Sequence, residues 1–420
     1  MKFKTFLFAV IYSLCFFSAY AQDKNIQIAC SVDERVELMS VVFRLAGAKE
    51  YVTDDIPVYT FKIDSVFAKF AQEPVVKMSQ TMRRNFGVGY DAVAALAVNL
   101  NIKDGEISLR KDINPCEIDE RWQCDSIGKY ITLLNDFYKK SDFNLFFNNH
   151  KKYYEVAETN FKENVLAGIK FEWYEKFYGE KPSEKFNVII SIANGPSNYG
   201  PHIKTNDGKE ELFAIIGSWQ PDSLGFPTFS RGFRDVVIHE FNHSFCNRLV
   251  SENLSKLIPK AKIFNDLVID KMHAMAYGYV NTYLCELLVR ACMIRYGVYN
   301  LGSNGSVDIW VAQERDNGFL WIPELNNALT VYENNRDKYP SLRSFMPEIV
   351  KVQNGLNPKK IYKQFLKNQP VILGTNIKNG AQDVDPNITQ IIIKFDKPMN
   401  EYCNGTSYGK KGGEFYARKY

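Results

Sequence analysis

The chain has 420 residues, of which 45% are hydrophobic and 24% are charged. This composition is that of a folded globular protein, and it excludes collagen-like, coiled-coil and intrinsically disordered chains. The formal net charge of +4 is too small to favour nucleic acid or an acidic membrane as the main partner. Only five histidines are present, so any clustering among them is informative.

The first residues have the pattern of a secretory signal peptide. Lys2 and Lys4 precede an uncharged apolar run that ends with the small residues Ala19 and Ala21. The pattern predicts a signal peptide over residues 1–21 and a secreted or periplasmic protein, with no stable membrane insertion after cleavage. An uncleaved membrane anchor is the alternative, although the run barely reaches membrane-spanning length.

Residues 22–180 are predicted to form a helical region. Apolar residues from Val32 to Ala46 recur at steps of four and three, and Ser31 with Glu34 has the spacing of a capping box. Later aromatic residues are interpreted as core rather than as a ligand-binding stripe: Phe171, Trp173 and Phe177. In a turn-rich stretch, one pair of cysteines is close enough to propose a disulfide: Cys116 and Cys124.

Residues 181–353 are predicted to form a second region, in which short strands are followed by helices. Two β runs, 186–192 and 212–216, flank the turn-rich segment Asn194–Pro201. Helical periodicity then returns over three stretches: 234–249, 276–296 and 321–353. The expected fold class is α+β, mostly helical, with a small sheet beside the helix predicted over residues 234–249.

The last part of the chain has a different pattern. Residues 354–369 are expected to be a linker, and residues 370–420 contain short strand-like runs such as Ile391–Phe395. This segment resembles the opening half of a bacterial immunoglobulin-like domain. Such domains have about 100 residues, so a partial copy is expected.

Two of the five histidines lie four residues apart, in His239-Glu240-Phe241-Asn242-His243. On a helix, residues at i and i+4 share one face, so both imidazoles can reach one metal ion. Glu240 projects beside them and can take a proton from water at an open metal position. The alternative is a pair of structural histidines on a buried helix.

A catalytic zinc ion needs a third protein ligand. Glu286 is the preferred candidate, because it is the only charged residue between Ala274 and Val289 and a carboxylate in apolar surroundings needs a cation. An ion pair with Arg290 at i,i+4 is an alternative that is compatible with metal binding. Two other ligands are conceivable: Asp270 and His273.

These residues resemble the gluzincin class of zinc metallopeptidases, in which an HExxH helix is completed by a glutamate from a later helix. More closely, residues 31–353 resemble a poorly characterised family of secreted bacterial proteins in that clan. The resemblance implies a zincin-like fold with its catalytic core in residues 181–353. It also implies that zinc is held by His239, His243 and Glu286 and that Glu240 is the general base. Many gluzincins carry an acid four residues after the glutamate ligand, where this chain has Arg290.

The resemblance further implies a secreted peptidase that acts on a peptide or protein substrate. In this class, the strand nearest the active-site helix binds an extended peptide as a further strand, and the candidates are 186–193 and 212–217. An oxyanion stabiliser is also expected. Three residues lie in the relevant part of the chain, but with 24 tyrosines present the sequence does not single one out: Tyr277, Tyr279 and His273. The alternative function is a catalytically silent, zinc-containing binding or surface-assembly protein.

Overall fold

A computed structural model describes residues 28–180, 186–302, 306–378 and 380–398, together with short strands at 405–406 and 415–416. The predicted signal peptide, residues 1–21, lies outside the described residues. Within the described ranges, no helix has both the length and the apolar character needed to cross a membrane. Helices alternate with small sheets along the chain, which confirms the predicted α+β class.

The described chain divides into two compact units, and the first contains residues 28–248 together with 340–342. Its strands and helices are, in chain order, β1 (Ile28–Val32), α1 (Glu34–Leu45), α2 (Pro57–Phe67), α3 (Pro74–Phe86), α4 (Asp91–Val98), β2 (Leu100–Lys103), β3 (Glu106–Leu109), α5 (Cys124–Lys140), α6 (Phe143–Asn149), α7 (Lys151–Asn164), α8 (Glu172–Tyr178), β4 (Phe186–Ser191), β5 (His202–Lys204), β6 (Glu210–Gly217) and α9 (Phe233–Leu267). Helix α9 continues beyond Arg248 into the second unit.

A four-stranded sheet with the order β1-β4-β6-β5 forms the centre of the first unit. Strands β1, β4 and β6 are parallel, whereas β5 pairs with β6 antiparallel. Strands β4 and β6 confirm the two predicted β runs. Both are hydrogen-bonded on two sides, so the expectation that one of them could accept a further strand was wrong. The edge strands of this sheet are β1 and β5.

The sheet also explains why the predicted start of the first helix was wrong. Ser31 lies in β1 and is paired with Ile189 of β4, so it is not available as a helix cap. Helix α1 instead begins after Asp33, whose side chain accepts a hydrogen bond from the backbone N–H of Arg35 at 2.9 Å. The pairing of Ser31 in the sheet therefore moves the start of the helix two residues beyond the position that the capping pattern predicts.

Aromatic side chains pack α9 against the sheet and α8. Phe241 is fully buried, and its ring meets that of Phe186 on β4 edge-on, with the centroids 4.8 Å apart. On the next turn, Phe245 stacks on Tyr178 at 4.1 Å. The aromatic residues interpreted as core are confirmed to be buried: Phe171, Trp173 and Phe177. This packing fixes which face of α9 is turned away from the core.

The predicted disulfide between Cys116 and Cys124 is confirmed. Cys124 is the first residue of α5, and Cys116 lies in the segment before this helix. The Cα atoms of the two cysteines are 4.8 Å apart, within the range that a disulfide requires. The bond closes a short loop of irregular and 3-10 helical backbone on the first unit.

The second unit contains residues 249–339 and the chain from Arg343 onwards. Its further elements are α10 (Ile269–Ala274), α11 (Val280–Leu301), α12 (Ser306–Asp316), α13 (Ile322–Glu333), α14 (Leu342–Gly355), α15 (Pro358–Asn368), β7 (Ile372–Thr375), β8 (Ile393–Phe395), β9 (Gly405–Thr406) and β10 (Phe415–Tyr416). Helix α11 confirms the helix predicted over 276–296, with a later start and end.

The stretch expected to be a linker, residues 354–369, contains α15 and is therefore not an irregular connection. Asn357 caps this helix by accepting a hydrogen bond from the N–H of Lys360 at 3.1 Å, and Phe365 is buried. Beyond it, β7 and β8 form a two-stranded antiparallel sheet. The immunoglobulin-like segment expected over 370–420 falls partly outside the described residues and stays a prediction.

Candidate metal centre

Helix α9 brings the two histidines of the motif together on one face. The Nε2 atoms of His239 and His243 are 3.1 Å apart, and the ring centroids are 4.8 Å apart. Both histidines are half-buried, so their ring nitrogens lie on the part of α9 that the aromatic core leaves accessible. The spacing and the orientation are those expected for two imidazoles that share one ion.

Glu286 on α11 completes the group. One ligand atom from each of His239, His243 and Glu286 lies within 4.8 Å of the other two. Glu286 is only 5% exposed and is flanked on its helix by buried residues such as Tyr283 and Leu287. The structure therefore brings together the three ligands predicted from the sequence.

The donor set fits a divalent metal ion. Two imidazole nitrogens and one carboxylate oxygen are the ligands of many catalytic metal sites, in which a fourth position stays open for water or substrate. Around a tetrahedral ion with bonds of about 2.1 Å, ligand atoms lie roughly 3.4 Å apart, close to the 3.1 Å between the two Nε2 atoms. Within the described residues, this group does not include Asp270 or His273.

Arg290, one turn further along α11, forms an ion pair with Glu286. Its Nε is 3.4 Å from Glu286 Oε2, and its Nη1 donates to both carboxylate oxygens of Glu314, at 2.9 and 3.0 Å. Burial lowers the pKa of Arg290, but the charges of Glu314 and Glu286 outweigh this effect, so its pKa is raised. The ion pair considered as an alternative is therefore present in the same geometry that brings Glu286 to the histidines.

Asn247 contacts the Nδ1 nitrogen of His243, and this contact was not predicted from the sequence. Its Oδ1 is 3.1 Å from His243 Nδ1. The signal was present, because position 247 follows His243 by four residues and so continues the face that carries both histidines. Asparagine is not among the residue types in which a metal motif is usually sought, so the motif itself does not point to it.

Glu240 is buried, with 8% of its surface exposed. The backbone at Gly200, just before β5, packs directly against the carbonyl group of Glu240. The turn-rich segment Asn194–Pro201 therefore lies beside the residue expected to act as general base.

The three candidates for stabilising an oxyanion are placed differently by the structure. Tyr277 has its hydroxyl 3.5 Å from Arg290 Nη2, which connects it to Glu286 through the guanidinium group. Tyr279 is 82% exposed. His273 packs its ring against Gly278. Of the three, Tyr277 is thus the one with a described connection to a residue of the metal group.

Comparison with known proteins gives a family and no closer relative. The model of one family, described as Domain of unknown function (DUF4932), matches residues 28–352. No curated protein and no solved structure matches the chain. The expectation that the chain belongs to a poorly characterised family is confirmed by a match that runs from β1 into α14. The chain is therefore a member of the DUF4932 family.

Proposed function

We propose that the protein is a secreted zinc-dependent metallopeptidase of the gluzincin type. The observation that carries this proposal is the convergence of His239, His243 and Glu286, whose ligand atoms lie within 4.8 Å of one another. Zinc is the metal proposed, because two imidazoles and a carboxylate with one open position are typical of catalytic zinc sites. A glutamate directly follows the first ligand, as peptide hydrolysis in this class requires.

The reaction proposed is the hydrolysis of a peptide bond by water. His239, His243 and Glu286 would hold the zinc ion, which when bound would lower the pKa of water to about 7 and polarise a carbonyl group. Glu240 takes a proton from the attacking water as the oxygen bonds to the carbonyl carbon. It returns that proton to the nitrogen of the leaving amine as the carbon–nitrogen bond breaks. The Nε atom of Arg290 lies 3.4 Å from one oxygen of Glu286 and places a positive charge beside the carboxylate.

A peptide substrate is favoured by the position of the edge strand β5. Among the described strands, β5 pairs only with β6 and so lies at an edge of the sheet, the position at which an extended chain can be added as a further strand. The residues just before β5 contact Glu240 through Gly200. A peptide added along this edge would therefore run past the proposed general base.

The compartment proposed is the periplasm or the cell exterior. The sequence of residues 1–21 supports it, and so does the disulfide between Cys116 and Cys124. Structural disulfides are rare in the reducing cytosol of most organisms and common in secreted proteins.

Digestion of a peptide library by the purified chain tests the proposal. We expect cleavage that a chelator abolishes and that added zinc restores. Glu240→Gln should keep the bound metal but lose cleavage by at least about 100-fold, because it removes the general base. Glu252→Gln is the matched control, since Glu252 lies on the same helix, is exposed and pairs with Arg343. It should cleave like the wild type.

Two outcomes would contradict the proposal. Equal cleavage by Glu240→Gln and the wild type would refute the role of the glutamate. A wild-type chain that binds zinc but cleaves no peptide would favour the alternative of a catalytically silent binding or surface-assembly protein.

A further inference from the structure

Three polar side chains follow one another along the same face of α9. His239, His243 and Asn247 occupy positions i, i+4 and i+8 of α9, and each step of four residues turns only about 40° around the helix axis. The two nitrogens of the His243 ring face different partners. Its Nε2 is 3.1 Å from His239 Nε2, and its Nδ1 is 3.1 Å from Asn247 Oδ1. The ring therefore has one nitrogen on the metal side and one on the asparagine side.

The chemistry of imidazole decides which nitrogen carries the proton. A neutral histidine has one N–H and one lone pair, and the nitrogen that binds a metal must offer the lone pair. If Nε2 of His243 faces the ion, the proton has to be on Nδ1, where it needs an acceptor. The amide oxygen of Asn247 accepts a hydrogen bond, but it carries no charge and does not take up the proton.

We propose that Asn247 is a positioning residue for the metal centre: its amide oxygen accepts the Nδ1–H of His243 and holds the tautomer in which Nε2 is presented to the ion. The inference rests on the metal site of the proposed function. A histidine ligand here is oriented from its own helix by a neutral amide.

The experiment uses the full chain stripped of metal and labelled with nitrogen-15. Long-range proton–nitrogen spectra of the imidazoles report the tautomer, and they are recorded about two pH units above the ordinary histidine pKa. With five histidines in the chain, the His243 signals are assigned by single substitution. We expect the Nδ1–H form in the wild type and in Asn247→Asp, which keeps an acceptor oxygen. Asn247→Ala should shift His243 towards the Nε2–H form.

Zinc affinity, measured by competition with a chromophoric chelator, gives the second readout. Loss of an outer partner of a ligand histidine lowers metal affinity by about 10- to 100-fold. Asn247 is exposed, so water can replace its hydrogen bond to His243. We therefore expect zinc affinity to fall only about 10-fold in Asn247→Ala and to be unchanged in Asn247→Asp. The matched control is Asn253→Ala, since Asn253 lies on the same helix and bonds the carbonyl of Leu249.

The inference is overturned if His243 is in the Nε2–H form in the wild type. It is also overturned if Asn247→Ala leaves both the tautomer and the zinc affinity unchanged. Failure of the proposed function is a separate result, namely a wild-type chain that binds no zinc. The tautomer in the metal-free chain would then still decide whether Asn247 fixes the ring of His243.

Discussion

Gly200 lies so close to the backbone of Glu240 that no side chain fits between them. A β-carbon at position 200 would be 2.4 Å from the carbonyl oxygen of Glu240 and 3.1 Å from its carbonyl carbon. The contact joins the segment before the edge strand β5 to the helix that carries the motif. Glycine is required here by the close approach of two backbones.

Gly200→Ala should therefore reduce both stability and the proposed activity. The obstacle is helix backbone rather than a flexible side chain, so either the helix or the segment before β5 must move. We expect the free energy of unfolding in urea to fall by about 1–3 kcal/mol, and peptide cleavage to fall with it. Gly128→Ala is the control, because Gly128 lies on α5 and a β-carbon there would have no neighbouring atom within 4 Å. That variant should be as stable as the wild type or more so.

Glu37 on α1 is a fully buried carboxylate that binds the end of β4. It accepts hydrogen bonds from Ser191 Oγ at 2.9 Å, from Ile192 N at 2.7 Å and from the Tyr59 hydroxyl at 2.9 Å. Burial nevertheless outweighs these bonds and raises the pKa of Glu37 above its ordinary value of 4.5. The folded state therefore favours the protonated carboxyl more than the unfolded state does.

This shift gives stability a pH dependence of known sign. The stability that the protonated carboxyl of Glu37 contributes is fully present below pH 4.5, its pKa in the unfolded state. This stability is lost as the pH rises through the higher pKa of the folded state. Glu37→Gln removes this titration. We expect the free energy of unfolding of Glu37→Gln, minus that of the wild type, to increase as the pH rises from 4.5 towards neutrality. Urea titrations at several pH values measure the difference, and a constant difference would contradict the assignment.

Arg290 provides a prediction that couples stability to metal binding. Arg290→Met removes the cation beside Glu286 and Glu314, and breaking a largely buried ion pair in the metal-free chain should cost about 2–4 kcal/mol. A metal ion compensates the charge of Glu286, so added zinc should raise the free energy of unfolding more in Arg290→Met than in the wild type.

The control for this prediction is Arg295→Met on the same helix. Arg295 is buried and pairs with Glu333, so this variant also loses a buried ion pair. Its zinc-dependent stabilisation should equal that of the wild type. If zinc stabilises both variants equally, Arg290 has no particular relation to the metal ligand.

The part of the site that the sequence predicted is the part determined by local geometry. The spacing of His239 and His243 fixes a shared face on any helix, and the isolated charge of Glu286 in an apolar helix requires a cation. The disulfide was predictable for a similar reason, because Cys116 and Cys124 are only eight residues apart. Each of these inferences starts from a local pattern, although the meeting of Glu286 with the two histidines joins positions 43 or more residues apart.

The remaining features depend on pairings between distant segments. Ser31 satisfies a capping pattern, but its pairing with Ile189 places it in a strand. The outer position of β5 follows from strand order, which the sequence of three residues does not encode. The contact of Gly200 with Glu240 also joins two segments 40 residues apart, and no local pattern predicts it.

The binding of one zinc ion by His239, His243 and Glu286 together can be observed in a crystal. The most direct measurement is an anomalous difference map, recorded at the zinc absorption edge from crystals of the chain grown with zinc. We expect one strong peak within about 2.3 Å of an Nε2 atom of each histidine and of a carboxylate oxygen of Glu286. A peak that lacks any of the three ligands, or no peak at this site, would contradict it.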